Sequence, residues 1–533
     1  MRKVIAAMVM LVPLAMAQAQ GPVVWVASPW QHVLKTTEAG TVKAVTLVAA
    51  ANEYEPFRVI VRAGGQSLPE VNLTVPDLRG PGATIVAANL TLFREHYLDI
   101  FAPSYRSTAP TGWYPDALIP FVDPVTGKNL QGAKYDATPY TIEANCNQGY
   151  WVDVHVPKET KAGDYRGTVT VTSAGQQVAD VPVTLTVRPW GLPDSIAMQS
   201  CFGSLGSRLA KQNSVAPGSP ELSEIEDLYI EAFLGHRAVP GSLGNIWPTV
   251  NDDGTVDDSQ TGERLRKLVE DDHVNALRLP FSWGAGPEKC KAQLRALAGY
   301  LRQKGWLDLA YIYLRDEPNN AEQYELVRQQ GALIKEADPG IKRMCTEQTV
   351  TSNPEWGTLV GAVDIWCPLW GLYDEKTADE RKAAGETLWS YTALCQGKQP
   401  PFWQVDFPPV SFRAPFWTSW RYDIKGFLYW SSIYWDAYED VWAKPHFRDK
   451  YWGEGMLVYP GPPAGIKGPV TSIRLKLIRE ALEDYEYMAL ASKQGHKSKA
   501  DAIVMALTPS FEQWEQDPEA YMKAREELAK LIH

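Results

Sequence analysis

Hydrophobic and polar residues alternate with period two along much of the first 190 residues. Val42-Lys-Ala-Val-Thr-Leu-Val-Ala, Phe57-Arg-Val-Ile-Val-Arg and Trp151-Val-Asp-Val-His-Val-Pro carry the pattern. Such runs predict half-buried strands, because successive side chains point to opposite faces of a sheet. Residues 162–172 and 181–187 repeat it on either side of Ala174-Gly175, a hairpin signature. Several such runs predict a β-sandwich over residues 20–190. Arg188-Pro-Trp-Gly-Leu-Pro closes it, since proline and glycine punctuate regular structure.

The pattern then changes to short apolar runs separated by helical stretches. Strands are expected at residues 199–203, 236–240, 275–281, 309–315, 341–346, 362–366, 388–393 and 426–431. Amphipathic helices are expected at 220–234, where Ser219 precedes Pro220, and at 321–337. Eight strands with interposed helices predict a (β/α)8 TIM-type barrel over residues 196–470. From residue 471 to 533 the chain reads as a helical C-terminal segment, with one helix over 472–491 and further helical turns around Pro509 over 501–532. Glu480, Glu483, Asp484 and Glu486 crowd the first of these and read as a solvated or salt-bridged face. The chain is therefore expected to be multidomain.

Composition narrows the function classes. The 533 residues carry a formal net charge of -11 and no basic run. Such a chain gains no counterion-release affinity for nucleic acid, and none is expected as a partner. Residues 1–19 read as a secretory signal: Arg2-Lys3, an apolar core from Val4 to Leu14, then small-residue cleavage sites at Ala15-Met-Ala17 and Ala17-Gln-Ala19. Export to the periplasm, cell surface or medium is expected, with no membrane span in the mature chain. The six cysteines lack C-x-x-C spacing and nearby histidine pairs, so metal binding through cysteine is not expected; no Gly-rich phosphate loop or H-E-x-x-H stands out either, and no cofactor is expected. The cysteines read as buried thiols, with a disulfide left open.

The chemistry concentrates at Tyr311-Ile-Tyr-Leu-Arg-Asp316-Glu317-Pro318. An apolar strand ends in two carboxylates and a proline that cannot extend a ladder. In a barrel this motif follows the fourth strand, at the C-terminal face where catalytic groups sit. Glycosidic hydrolysis needs one carboxyl to protonate the leaving oxygen and another group to stabilise the cation. The competing explanation is a helix N-terminus that favours acids. Neighbouring acids do not easily flank a sugar ring from both sides. They suit substrate-assisted hydrolysis, in which a 2-acetamido oxygen attacks, one carboxylate orients the acetamido N–H and the other donates the proton. Asp374-Glu375 and Asp379-Glu380 lie in a polar helical setting and read as surface.

Ten of the 20 tryptophans lie between Trp366 and Trp452. Pyranose faces stack on such rings, although most tryptophans in a barrel are core. Trp366, Trp370 and Trp430 come at or just after strand ends and are candidate sugar-binding walls, with Tyr391 beside them. His236-Arg237 opens the second expected strand. It reads either as a core histidine with an anchoring arginine or as a pair that binds sugar hydroxyls or orients Asp316.

Several segments together resemble glycoside hydrolase family 123. They are Ala51-Asn-Glu-Tyr-Glu-Pro-Phe, Gly149-Tyr-Trp-Val-Asp-Val-His-Val-Pro, Gly235-His-Arg, Arg315-Asp-Glu-Pro, Gly426-Phe-Leu-Tyr-Trp and the stretch from Ser472 to Tyr487. The resemblance implies a sandwich, a catalytic barrel and a helical C-terminus. It also implies a retaining, substrate-assisted enzyme cleaving β-linked N-acetylhexosaminides, N-acetylgalactosamine foremost. By position, Asp316 is then the acetamido-stabilising residue and Glu317 the general acid/base. The remaining alternatives are a glycosidase of other sugar specificity and a non-hydrolytic carbohydrate-binding surface protein. Oligomeric state is left open.

Overall fold

A computed structural model describes residues 21–351, 353–394 and 401–533. The expected signal segment and Cys395 lie outside the described residues.

The N-terminal part is sheet-rich. One sheet runs in the order Val23–Ala27, Glu53–Arg62, Asn147–Val156, Leu90–Ile100, Gly112–Pro120, all antiparallel. The second is built around the hairpin of Gly163–Ser173 and Gln176–Gly191, flanked by Val45–Ala51 and Leu68–Thr74. Ala174 and Gly175 both adopt positive φ, 46° and 75°, as a tight hairpin turn demands. Phe57, Val59 and Val152 of the first sheet share one buried cluster with Val169, Val171 and Leu185 of the second.

The second part is a curled, wholly parallel sheet with helices. Its order is Gln199–Phe202, Gly426–Tyr429, Thr387–Thr392, Ile365–Trp366, Lys342–Thr346, Ala310–Asp316, Leu277–Arg278. Seven of the eight expected strands are present. Residues 236–240 form no ladder, because Pro240 has no N–H and the Ser200 hydroxyl takes the Val239 amide at 2.7 Å. They still run beside the first strand, where the Phe202 amide donates to the Val239 carbonyl at 3.0 Å. Asn275 links the sheet's two ends, donating to the Ile196 carbonyl at 2.7 Å and accepting from Gln199 at 2.9 Å. Inside the curl lies a separate apolar cluster that includes Tyr311, Met344, Cys367, Trp389 and Leu428.

Helix Pro220–Leu234 starts where Ser219 accepts the Leu222 amide, and Ala321–Ala337 where Asn320 accepts that of Gln323. Ile473–Ala491 is buried along nearly its whole length. Of the two readings of its charge run, solvated or salt-bridged, the salt-bridged one holds. The charges of the helix form buried pairs across the seam between the two parts. Arg479 binds Asp153 through two contacts of 2.9 and 3.0 Å, Lys476 reaches the same carboxylate at 2.6 Å, and Arg474 grips Asp116 at 2.8 and 2.9 Å. Asp484 holds Arg413 at 2.6 and 2.9 Å, and Arg525 of helix Pro518–Ala529 pairs with Glu53.

Cys201, Cys290, Cys345 and Cys367 are buried free thiols, and Cys146 is free and half-buried. Among the described residues no helix is long and apolar enough to cross a membrane, and no cluster of His, Cys, Asp and Glu has the makings of a metal site.

Candidate active site

Strand Ala310–Asp316 carries the two acids, and a break in its register aims them. Tyr313 pairs with Met344, but the next pairs are Arg315 with Cys345 and Asp316 with Thr346. One extra residue on this strand is a bulge, which re-aims every side chain after it. Tyr313 and Asp316 therefore share a face with Met344 and Thr346, towards the inside of the curl. Without the bulge Arg315 would stand there instead.

The two carboxylates are held differently. Tyr313 donates its hydroxyl to Asp316 Oδ1 at 2.6 Å, and Thr346 donates to the same oxygen at 2.9 Å. The other oxygen, Oδ2, is left for a ligand. Glu317 has φ +39°, a left-handed conformation uncommon for a residue with a side chain. Its amide donates to Thr346 Oγ1 at 3.0 Å, and its Oε1 accepts the Tyr391 hydroxyl. Thr346 thus touches both members of the pair. Burial raises the pKa of Tyr313 and Tyr391, and the neighbouring Asp316 and Glu317 charges raise them further. Both phenols stay protonated and remain hydrogen-bond donors.

Above the acids opens a cavity of about 440 Å³, within the range of small-ligand sites. Tyr391, Trp430, Tyr434 and Phe447 form its walls. The Trp430 ring is fixed by an Nε1–H bond to Glu454 Oε1 at 2.6 Å. Glu454 is buried, which pushes its pKa up, while its bonds to Trp430 and Gln404 oppose that rise. Gly455 backs the same ring: a Cβ there would meet Trp430 at 2.4 Å, and its φ is +69°.

Of the residues singled out by sequence, Asp316, Glu317, Tyr391 and Trp430 meet at this cavity. Four others do not. Trp366 is buried and donates Nε1–H to Glu386 at 2.6 Å. Trp370 is buried and stacks on Phe511 at 4.2 Å. Both rings point outward from the curl and fill the layer between sheet and helices. His236 is buried and its Nδ1 bonds to the Ala232 carbonyl at 2.6 Å. Arg237 donates to the carbonyls of Pro193 and Asn52 and sits 3.7 Å from Glu486. These two lie at the N-terminal ends of the strands, on the seam with the first part and opposite Asp316.

Tyr313, Thr346, Arg278 and Phe447 were missed. Tyr313 and Thr346 end up beside the acids through strand pairing. A weak signal existed: Thr346 ends the strand following the Asp-Glu motif. Among the acid pairs set aside, Asp374 caps helix Glu375–Ala383, accepting the Thr377 amide at 2.9 Å.

Two family models match the chain: the glycoside hydrolase 123 catalytic domain over residues 287–491 and the glycoside hydrolase 123 N-terminal domain over residues 35–173. The chain belongs to glycoside hydrolase family 123. It is a glycoside hydrolase, and its substrate is carbohydrate. Among solved structures it is similar to a family 123 glycoside hydrolase from Clostridium perfringens, described in connection with glycolipid glycan hydrolysis. That likeness has 15% identity and a TM-score of 0.65, and covers 96% of this chain and 97% of the other. A family 39 glycoside hydrolase from Bacteroides cellulosilyticus matches at 10% identity and a TM-score of 0.31, covering 85% of this chain and 83% of that one. A comparison with curated proteins found no match. The Clostridium structure shares the fold of this family 123 chain, and its sheet-rich first part joined to a curled parallel sheet is the common frame.

Proposed function

We propose that this family 123 enzyme is a retaining β-N-acetylhexosaminidase, with N-acetylgalactosamine favoured, that works by substrate assistance. One observation carries the reading: Asp316 and Glu317 face the same cavity from adjacent backbone positions. Two carboxyls so placed serve one side of a sugar, and the nucleophile must then come from the sugar itself.

In this scheme Glu317 gives its proton to the glycosidic oxygen as the bond to C1 breaks. The acetamido carbonyl oxygen closes on C1, forming an oxazoline-type ring. Asp316 accepts the acetamido N–H through Oδ2, while Tyr313 and Thr346 hold Oδ1. Glu317, now a carboxylate steadied by Tyr391, takes a proton from the incoming water. Water attacks C1 on the face the leaving group vacated while the C1–O bond of the ring breaks and restores the acetamido group, so configuration is retained. Trp430 offers a ring face to the pyranose.

The wider reading is a β-sandwich over residues 20–190, a (β/α)8-type barrel over 196–470 in which residues 236–240 take the place of the second strand without forming a ladder, and a helical segment over 471–533. The first 19 residues serve export. A panel of aryl β-glycosides tests the activity: N-acetylgalactosaminide, N-acetylglucosaminide and galactoside. Cleavage of the N-acetylgalactosaminide above the others is expected. Preference for the plain galactoside would overturn substrate assistance.

A further inference from the structure

Two arginines line the cavity above Asp316 and Glu317, and the hydrolytic steps use neither. Arg278 ends strand Leu277–Arg278, next to Ala310–Asp316. Leu277 is buried, whereas Arg278 is exposed and faces the cavity. Its guanidinium lies 4.8 Å from the centre of the Tyr313 ring, the same ring whose hydroxyl holds Asp316. Among the described residues the Arg278 side chain makes no hydrogen bond or ion pair. Attraction to the ring uses no N–H donor of the guanidinium.

Arg448 approaches from another direction. Strands His446–Phe447 and Tyr451–Trp452 form a small hairpin, with Arg448 first in its turn. Arg448 and Asp449 both have φ +51°, a conformation that glycine or asparagine adopts at less cost. Arg448 packs 5.0 Å from the Phe447 ring and, among the described residues, has no ion-pair partner either.

A pyranose entering this cavity removes Arg278 from water. A desolvated cation without a counter-charge is costly. Asp316 and Glu317 lie at the same cavity, yet among the described residues neither forms an ion pair with Arg278 or Arg448: Asp316 is bonded by Tyr313 and Thr346, and Glu317 by Tyr391. The protein is acidic, at -11 overall, yet leaves two guanidinium forks unpaired at this cavity. Planar forks suit oxyanions. We propose that the glycan cleaved here bears an anionic substituent, a sulfate ester or a carboxylate, that Arg278 and Arg448 bind. This rests on the N-acetylhexosaminide reading above.

The test is equilibrium binding by calorimetry to the full-length Glu317→Gln protein, so that no turnover is needed. The probes are N-acetylgalactosamine, its 4-sulfate and 6-sulfate, and the disaccharide of N-acetylgalactosamine β-linked to glucuronic acid. One anionic probe is expected to bind at least about tenfold tighter than the neutral sugar, an advantage that shrinks at high salt. A sulfated winner identifies the ester, and the uronide a carboxylate. Adding Arg278→Gln or Arg448→Gln is expected to erase most of that ratio, with thermal unfolding confirming a folded protein. Equal or tighter binding of the neutral sugar overturns the proposal. So does an arginine variant that weakens neutral and anionic probes alike. Failure of the aryl-glycoside panel is a separate result, because the binding ratio is read without hydrolysis.

Discussion

The Thr346 hydroxyl lies 2.9 Å from Asp316 Oδ1. Thr346 Oγ1 in turn accepts the Glu317 amide at 3.0 Å, so one side chain from the neighbouring strand contacts both acids. Thr346 touches no reacting atom and is a positioning residue. Thr346→Val keeps the shape and removes both bonds. Its kcat is expected to fall about 10–100-fold with KM little changed, since small misplacements of catalytic groups carry costs of that order. Thr346→Ser, which restores the hydroxyl, should recover most of the loss. A stability change without a kcat change would deny Thr346 this role.

The two acids should separate in their dependence on the leaving group. In the proposed mechanism Glu317→Gln removes the proton donor, so aryl glycosides with poor leaving groups should lose about 10²–10⁴-fold in rate. Activated leaving groups should lose much less. On the same proposal Asp316→Asn disturbs the acetamido nucleophile and should slow both kinds of substrate. The check is a plot of log kcat/KM against leaving-group pKa for each variant. It steepens for Glu317→Gln and shifts downward in parallel for Asp316→Asn.

Gly455 supports the Trp430 wall from behind. At φ +69° and with a Cβ meeting the ring at 2.4 Å, alanine forces the backbone and the indole apart. Gly455→Ala is expected to raise KM and to lower stability by about 1–3 kcal/mol. Kinetics together with denaturant unfolding reads both effects.

Stability should fall towards alkaline pH. Burial raises the pKa of Glu55 to about 8, although Arg525 opposes it, and raises those of Glu480 and Glu486 to about 7. The folded protein thus keeps protons that the unfolded chain releases near the ordinary carboxylate value. That contribution is fully present below about pH 4.5 and is lost as pH rises through about 7 to 8. Asp153 works in the opposite sense: burial raises its pKa, but Arg479 and Lys476 overcome this and hold it low. Its contribution disappears in acid. Tm is therefore expected to decline from about pH 5 to about pH 9. Glu55→Gln, which stays neutral throughout, should flatten that decline.

Local sequence determined the helices and most strands, because their causes lie within a few residues. Ser219, Asn320 and Ser472 each accept an amide of the helix that follows. Alternation along 163–173 sufficed for a strand because one side of it must leave water. The Asp316-Glu317 pair was legible for the same reason, as charge at the end of an apolar run. What only the tertiary structure decided depends on pairing across the chain. The bulge before Arg315 turns Asp316, not Arg315, into the curl, and a register shift leaves no mark in composition. Trp366 and Trp430 look alike in sequence, yet one packs behind the sheet and the other walls the cavity, because opposite sides of one strand layer face helix and lumen. Arg278 sits over Tyr313 only because their strands pair. The charges of 479–486 were visible as charge, but their burial required the partners Asp153, Arg525 and Arg413, which come from distant segments.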